Sequence, residues 1–249
     1  MVTLKSKNEI EKMRRANLIV FEVLEALESA CKPGVSTLDL DRIAEEGAKR
    51  RGAAPVFKGY MGYPAHLCTS VNSVVVHGIP RKDEILKEGD IVGLDFGVVF
   101  DGFVGDSART VAIGKATAES ERLMKVTRES LDCGIEACRA GGRVSDIGGA
   151  VQRHVEANGY SVVRDFVGHG IGRKMHEDPQ VPNYFDARNG LRLREGLVVA
   201  IEPMVNAGGW EVDRLNDGWT VVTKDGSLSA HFEHSVAITD KGPYVLSQP

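Results

Sequence analysis

Five residues of this chain could do metal chemistry: Asp95, Asp106, His169, Glu202 and Glu233. Asp95 lies in Ile91-Val92-Gly93-Leu94-Asp95-Phe96-Gly97, and Glu202 follows Val198-Val199-Ala200-Ile201. In such apolar runs a carboxylate is costly to bury unless it is paired or coordinated. Pro203 then interrupts any strand ladder after Glu202. Glu233 falls in the stretch Leu228–Val236, where residues 229, 231, 233 and 235 share one polar face of an alternating strand. A solvent-facing edge would look the same. His169 stands in Gly168-His169-Gly170-Ile171-Gly172, whose glycines free the backbone to approach a ligand. The spacing is not that of a phosphate-binding loop, and no Gly-Lys-Ser/Thr follows. One imidazole with four carboxylates suits Mn, Fe, Co or Zn and is too oxygen-rich for a structural zinc site. A hydrolytic pair of ions, roughly 3.5–4 Å apart and bridged by carboxylates, is the natural use of such a set.

The elements that must position these residues follow from periodicity. Ile10, Met13, Ala16, Leu18, Ile19, Phe21, Val23, Leu24 and Leu27 recur at helical spacing, so a helix is predicted from about Asn8 to Ala30, ended by Pro33-Gly34. Ser36-Thr37 offers the cap of a second helix running to Lys49 and stopping near Gly52. Strands are predicted over Thr69–Val76 and Ile91–Phe100, where β-branched residues dominate. Asp101-Gly102 makes a two-residue hairpin loop, so Phe100 pairs with Phe103 and Gly97 with Asp106. Asp95 shares the face of Gly97, which makes the two aspartates diagonal neighbours about 7–8 Å apart at the backbone. Either one alone reads equally well as a strand end or a turn cap.

The plan then repeats, with helices from about Glu119 to Arg139 and Val144 to Asn158, followed by strands. A constant offset of 107 residues relates the halves, laying Leu86–Asp95 over Leu193–Glu202 with only Asp90 and Leu197 dissimilar. The prediction is one α+β domain over residues 1–249, made of two halves, about 8–114 and 115–245, packed about a pseudo-twofold. Asp95 and Glu202 then occupy equivalent points and face one another.

Composition sets the outer bounds. With 42% apolar residues the chain can bury one substantial core, and a net charge of −4 gives no footprint for nucleic acid. Cys31, Cys68, Cys133 and Cys138 show no zinc-type pairing and read as free thiols of a reducing compartment. The N-terminal residues are charged throughout, unlike a secretory signal, and no run approaches the roughly 18 apolar residues of a membrane span. A cytoplasmic protein with no membrane partner is expected.

The strings LDFGVVFDGFVGDSART, GHGIGRKMHEDPQVPNY, AIEPMV and SLSAHFEHSVAIT, preceded by VNSVVVHGIP, resemble the bacterial type I methionine aminopeptidases over nearly the whole chain. The resemblance implies the pita-bread (creatinase/aminopeptidase) fold, with antiparallel sheets and outer helices. It implies two divalent ions on Asp95, Asp106, His169, Glu202 and Glu233, and attack of a metal-bridging hydroxide on the first peptide carbonyl. Glu202 would shuttle the proton, His176 would stabilise the oxyanion, and His77 would orient the leaving nitrogen. Tyr60, Tyr63, Cys68, Met175 and Trp219 would form the methionine pocket, with Phe57 at its rim. Phe57 stands where the family often has cysteine, Met175 where it often has an aromatic residue, and His231 where it often has glutamine. Asn72, Val74 and Ser229 align with a site for a monovalent cation such as Na or K. The implied substrates are N-terminal Met peptides and nascent chains with a small second residue; the family also implies transient ribosome association and a monomer. Two other readings share the fold: an Xaa-Pro peptidase, and a binding protein that has lost catalysis.

Overall fold

The computed structural model describes residues 2–249. Its helices are α1 (Lys7–Ala30), α2 (Thr37–Arg50), α3 (Ala118–Ala137) and α4 (Val144–Ala157). Its strands are β1 (Ala54–Pro55), β2 (Cys68–Val71), β3 (Val74–Val76), β4 (Ile91–Phe100), β5 (Phe103–Ala112), β6 (Ser161–Val162), β7 (Gly168–Gly170), β8 (Glu177–Val181), β9 (Val198–Ile201), β10 (Met204–Asn206), β11 (Val212–Arg214), β12 (Val221–Thr223), β13 (Ser229–His231), β14 (Glu233–Thr239) and β15 (Gly242–Val245).

The helix starts follow capping chemistry. Ser6 and Glu9 form a reciprocal capping box on α1, while the Ser36 and Thr117 side chains accept from Asp39 N and Ser120 N. A nine-stranded sheet runs in the order β1-β4-β5-β14-β9-β7-β8, with β2 added to β4 and β15 to β14. The helices cover one of its faces. Leu94, Phe96 and Val98 of β4 pack with Ala16, Val20 and Leu24 of α1, and Val199, Ile201, Val236 and Ile238 pack with Leu131, Ile135, Val144 and Ile147 of α3 and α4. Because strand side chains alternate, the intervening residues of β4, β5, β9 and β14 point to the other face. That is the face of the site.

The 107-residue offset recurs in the hydrogen bonds. Gly34 N donates to Leu86 O as Gly141 N donates to Leu193 O, and the isolated bridges Ser36–Ile85 and Arg143–Arg192 correspond in the same way. Helices α2 and α4 correspond residue for residue.

Two strand expectations change. The run predicted as one strand over Thr69–Val76 is two, because Asn72 takes a positive φ of 54° and turns the chain, sending β2 to the large sheet and β3 to a three-stranded one. The alternating run Leu228–Val236 is also divided. Phe232 inserts its ring into the α3/α4 core, so β13 pairs with β10 whereas β14 joins the large sheet. Its polar face is not a solvent edge: Ser229, His231, Glu233 and Ser235 are all buried.

Candidate metal centre and substrate cavity

The hairpin register places the first two acids. Phe100 pairs with Phe103 and Gly97 with Asp106 across a turn in which Asp101 and Gly102 both have positive φ, as a two-residue hairpin requires. Asp95 pairs with Ala108, and Ala108 with Glu233 of β14. One step past the His234–Ile201 pair, Glu202 lies across from Glu233. A single cross-strand row therefore reads Asp95, Ala108, Glu233, Glu202, extended on the outside by Cys68 opposite Asp95. The adjacent row reads Gly97, Asp106, Ser235, Ala200, His169; Ser235 Oγ donates to Asp106 O, and Ala200 pairs with both Ser235 and His169. All five predicted ligands share one face, and the residues between them are glycine, alanine or serine. Small side chains there leave a hollow floored by backbone.

Four of the five lie close together. One donor atom each from Asp106, His169 and Glu233 lie within 4.8 Å of one another. His169 Nε2 is 3.8 Å from Asp106 Oδ2 and 3.5 Å from Glu202 Oε1. His169 Nδ1 lies 2.9 Å from the Gly170 carbonyl, to which it donates, so Nε2 keeps its lone pair turned to the acids. The glycines beside His169 serve the neighbouring backbone rather than a ligand: a Cβ on Gly168 would meet Ala200 O at 2.4 Å, and one on Gly170 would meet Asp178 O at 2.2 Å.

The electrostatics call for cations. Burial pushes Asp95 up to about 7, and burial followed by the neighbouring carboxylate charges pushes Asp106, Glu202 and Glu233 well above the usual carboxylate range. Asp106 Oδ1 and Glu233 Oε1 are buried with no hydrogen-bond partner. Dry carboxylates of this kind fit divalent ions, which both satisfy the orphaned oxygens and favour the ionised acids.

A cavity of about 540 Å³ opens over these ligands and is lined by every residue expected to act on substrate: Phe57, Tyr60, Tyr63, Cys68, His77, Met175, His176, Glu202 and Trp219. Its apolar wall is rigid. Tyr63 donates to the carbonyls of Leu67 and Gly78 and meets Trp219 edge-on at 5.1 Å. His77 has a φ of 60° and packs edge-on against Phe166 and Trp219. Burial, then the Arg214 charge, lowers its pKa to about 4, which keeps it neutral. Met175 and His176 ride on a loop pinned by the Lys5–Glu177 ion pair at 2.7 Å, with Glu177 also accepting from Arg173 N and Lys174 N. Tyr60 Oη is 2.7 Å from His176 Nδ1, a contact in which donation from the hydroxyl would leave the imidazole proton on Nε2.

Three lining residues escaped the sequence reading: Met61, Arg214 and Gly218. The bracket Gly59–Gly62 marks a turn around Met61, but nothing local says that the turn reaches the site. His231 Nε2 lies 3.9 Å from Glu202 Oε2, which puts this imidazole behind the acid. Away from the cavity, Asn72 O accepts from Ser229 N at 2.9 Å, while the Asn72 amide is used by Asp90 and Ile91 N. Val74 opens β3 two residues later.

Fold and site together define a metal-dependent hydrolase built on a duplicated α+β sheet. The model of metallopeptidase family M24 matches residues 11–240. The methionine aminopeptidase of Clostridium acetobutylicum is 53% identical over 99% of both chains, and that of Escherichia coli K12 is 46% identical over 99% of this chain and 94% of its own. The crystal structure of methionine aminopeptidase from Rickettsia prowazekii superposes with a TM-score of 0.97 at 40% identity over the whole of both chains. A prolidase from Pyrococcus furiosus, at 21% identity and a TM-score of 0.77, shares the fold over 65% of its length. The chain belongs to metallopeptidase family M24, among its methionine aminopeptidases, and has their pita-bread fold.

Proposed function

We propose that this protein removes the N-terminal methionine from peptides and nascent chains, with a small second residue preferred, using two divalent ions held by Asp95, Asp106, His169, Glu202 and Glu233. The observation that carries the reading is the two-row cluster of four carboxylates and one imidazole opening into an aromatic-walled cavity. Four ionised carboxylates carry a charge that one divalent ion would half neutralise and two would cancel. Cobalt, manganese, iron or zinc would each suit this oxygen-rich set. Such ions, when bound, supply an acidified water and polarise the scissile carbonyl.

The protein's own groups do the rest. Glu202, at the edge of the cluster nearest His169, is placed to take the proton of the attacking water and pass it to the leaving amine. His176, with its proton on Nε2, donates to the oxygen on which negative charge develops. His77, partly buried and neutral, orients the leaving nitrogen. Phe57, Tyr63, Cys68, Met175 and Trp219 present an apolar pocket for the thioether, whose sulfur suits aromatic ring edges. The free α-amine of the substrate binds at the ligand-bearing end of the cavity, which restricts cleavage to the first bond. A monovalent cation such as Na or K beside Asn72, Val74 and Ser229 would brace the turn behind β3.

The test is hydrolysis of Met-Ala-Ser beside an Ala-Pro peptide, with manganese or cobalt and then with chelator. Methionine release that needs the metal is expected. Cleavage of the proline peptide alone would replace this reading with an Xaa-Pro peptidase, and no turnover with any metal would favour a binding protein.

A further inference from the structure

The cavity over the metal ligands is lined by four carboxylates and by a single arginine or lysine, Arg214. Arg214 ends β11, where it pairs with Val221 of β12; Val221 pairs in turn with Val76 of β3, the residue before His77. Two strand spacings, about 10 Å, separate the Arg214 and Val76 backbones, a gap that a guanidinium on its long stem can bridge. Arg214 and His77 both line the cavity, and this register sets them on its same side, the side given to the leaving group in the reading above. Arg214 is exposed and forms no ion pair among the described residues. The acid nearest it in the hairpin loop, Asp217, is turned inward, accepting from Trp219 N, Thr220 N and Thr220 Oγ1. The mouth of the cavity thus carries one uncommitted guanidinium, whose planar fork matches a carboxylate.

We infer that Arg214 is a specificity-determining residue that favours peptides bearing a carboxylate shortly downstream of the scissile bond. This rests on the aminopeptidase reading above. The carboxylate could be an acidic side chain or the C-terminus of a short peptide; the chemistry is shared. Without Arg214, no arginine or lysine of the cavity lining would be left to meet such a group. With it, the downstream charge is matched while the methionine pocket and the reacting groups are untouched. The contact is at a wet rim, so its effect is a preference of about two- to fivefold, the range of one exposed ion pair, and it fades with salt.

The experiment compares kcat/KM of the manganese-loaded enzyme on Met-Ala-Asp-Ser-NH2 and Met-Ala-Asn-Ser-NH2, and on Met-Ala-Ser as free acid and as amide, for wild type, Arg214→Gln, Arg214→Glu and Lys174→Gln. Lys174 lines a neighbouring cavity and controls for cationic charge in general. Wild type is expected to prefer Asp over Asn, Arg214→Gln to bring that ratio to about one, and Arg214→Glu to invert it. A preference confined to the free acid and lost in Arg214→Gln also supports the inference and names the C-terminus as the source. Ratios unchanged in Arg214→Gln, or lost only in Lys174→Gln, would overturn it. Methionine release with no charge preference overturns this inference alone, whereas no methionine release from any peptide overturns the aminopeptidase reading and this inference with it.

Discussion

The proposed metal centre sits on strands that α1 holds from behind, and Gly105→Ala probes that link. Gly105 faces away from the ligands, and a Cβ there would lie 2.6 Å from Ala16 C and Asn17 N and 2.8 Å from Ala16 O. Ordinary contact begins at 3.4 Å, so α1 must retreat by roughly 0.8 Å. The atoms met are helix backbone and cannot rotate aside. Overpacking of this kind costs about 1–3 kcal/mol, and the entropy lost from the unfolded chain returns about 0.4–1 kcal/mol, leaving a net loss of about 1.3 kcal/mol at the middle of these ranges. For a chain of this size that lowers Tm by about 3–5 °C. The shift also reaches the site, because Asn17 Oδ1 accepts from Asp106 N at 3.2 Å while the Asn17 amide is tied to Met13 O. Calorimetry with and without manganese, together with a manganese titration, measures both effects: a lower Tm and a weaker ion affinity. Ala16→Gly gives no rescue, since the obstruction is backbone. A variant that melts within about 1 °C of wild type and binds manganese equally well would refute the argument.

Tyr60→Phe removes the hydrogen bond to His176 Nδ1 and should lower kcat about three- to tenfold with a smaller change in KM; nitrogen NMR of His176 should then show mixed tautomers, and an unchanged kcat with one tautomer would contradict the assignment. Manganese at about 100 times its Kd should stabilise the chelated protein by about 2.7 kcal/mol for each ion bound, and Glu233→Gln should lose most of that gain; equal gains would remove Glu233 from the ligand set. His77 is held at about 4, below its ordinary 6.5, so the folded form binds fewer protons than the unfolded chain between these values. Its contribution to stability is therefore complete above pH 6.5 and is lost as pH falls toward 4. Urea unfolding across that window should show a shallower acid loss in His77→Asn than in wild type, and parallel curves would count against an imidazole held neutral by the fold.

How much of this was legible depends on the range of the interactions. Asp95 and Asp106 could be set on one face from sequence because a two-residue turn fixes register locally. The equivalence of Asp95 and Glu202 was visible because duplication copies the strand entries, including Gly89 and Gly196 with matching positive φ. Glu233 was harder to place. Alternation over residues 228–236 continues through Phe232, where the chain changes sheets, and only the long-range pairing of Glu233 with Ala108 brings it beside Asp95. The spacer residues Ala108, Ala200 and Ser235 carry no chemistry of their own and drew no notice, yet their small size makes the hollow. Arg214 and Met61 reach the cavity from a distant hairpin and a positive-φ turn, and neither leaves a local sequence signal.

The central claim is that one buried face of four carboxylates and an imidazole holds the ions that cleave methionine from a peptide. Manganese titrated into the chelated protein, with bound metal and methionine release from Met-Ala-Ser followed together, tests it most directly in wild type, Asp106→Asn and His77→Ala. Wild type should gain activity in step with bound metal, Asp106→Asn should lose both, and His77→Ala should keep the metal while turning over slowly. Full metal binding by Asp106→Asn, or methionine release by wild type without metal, would contradict the account.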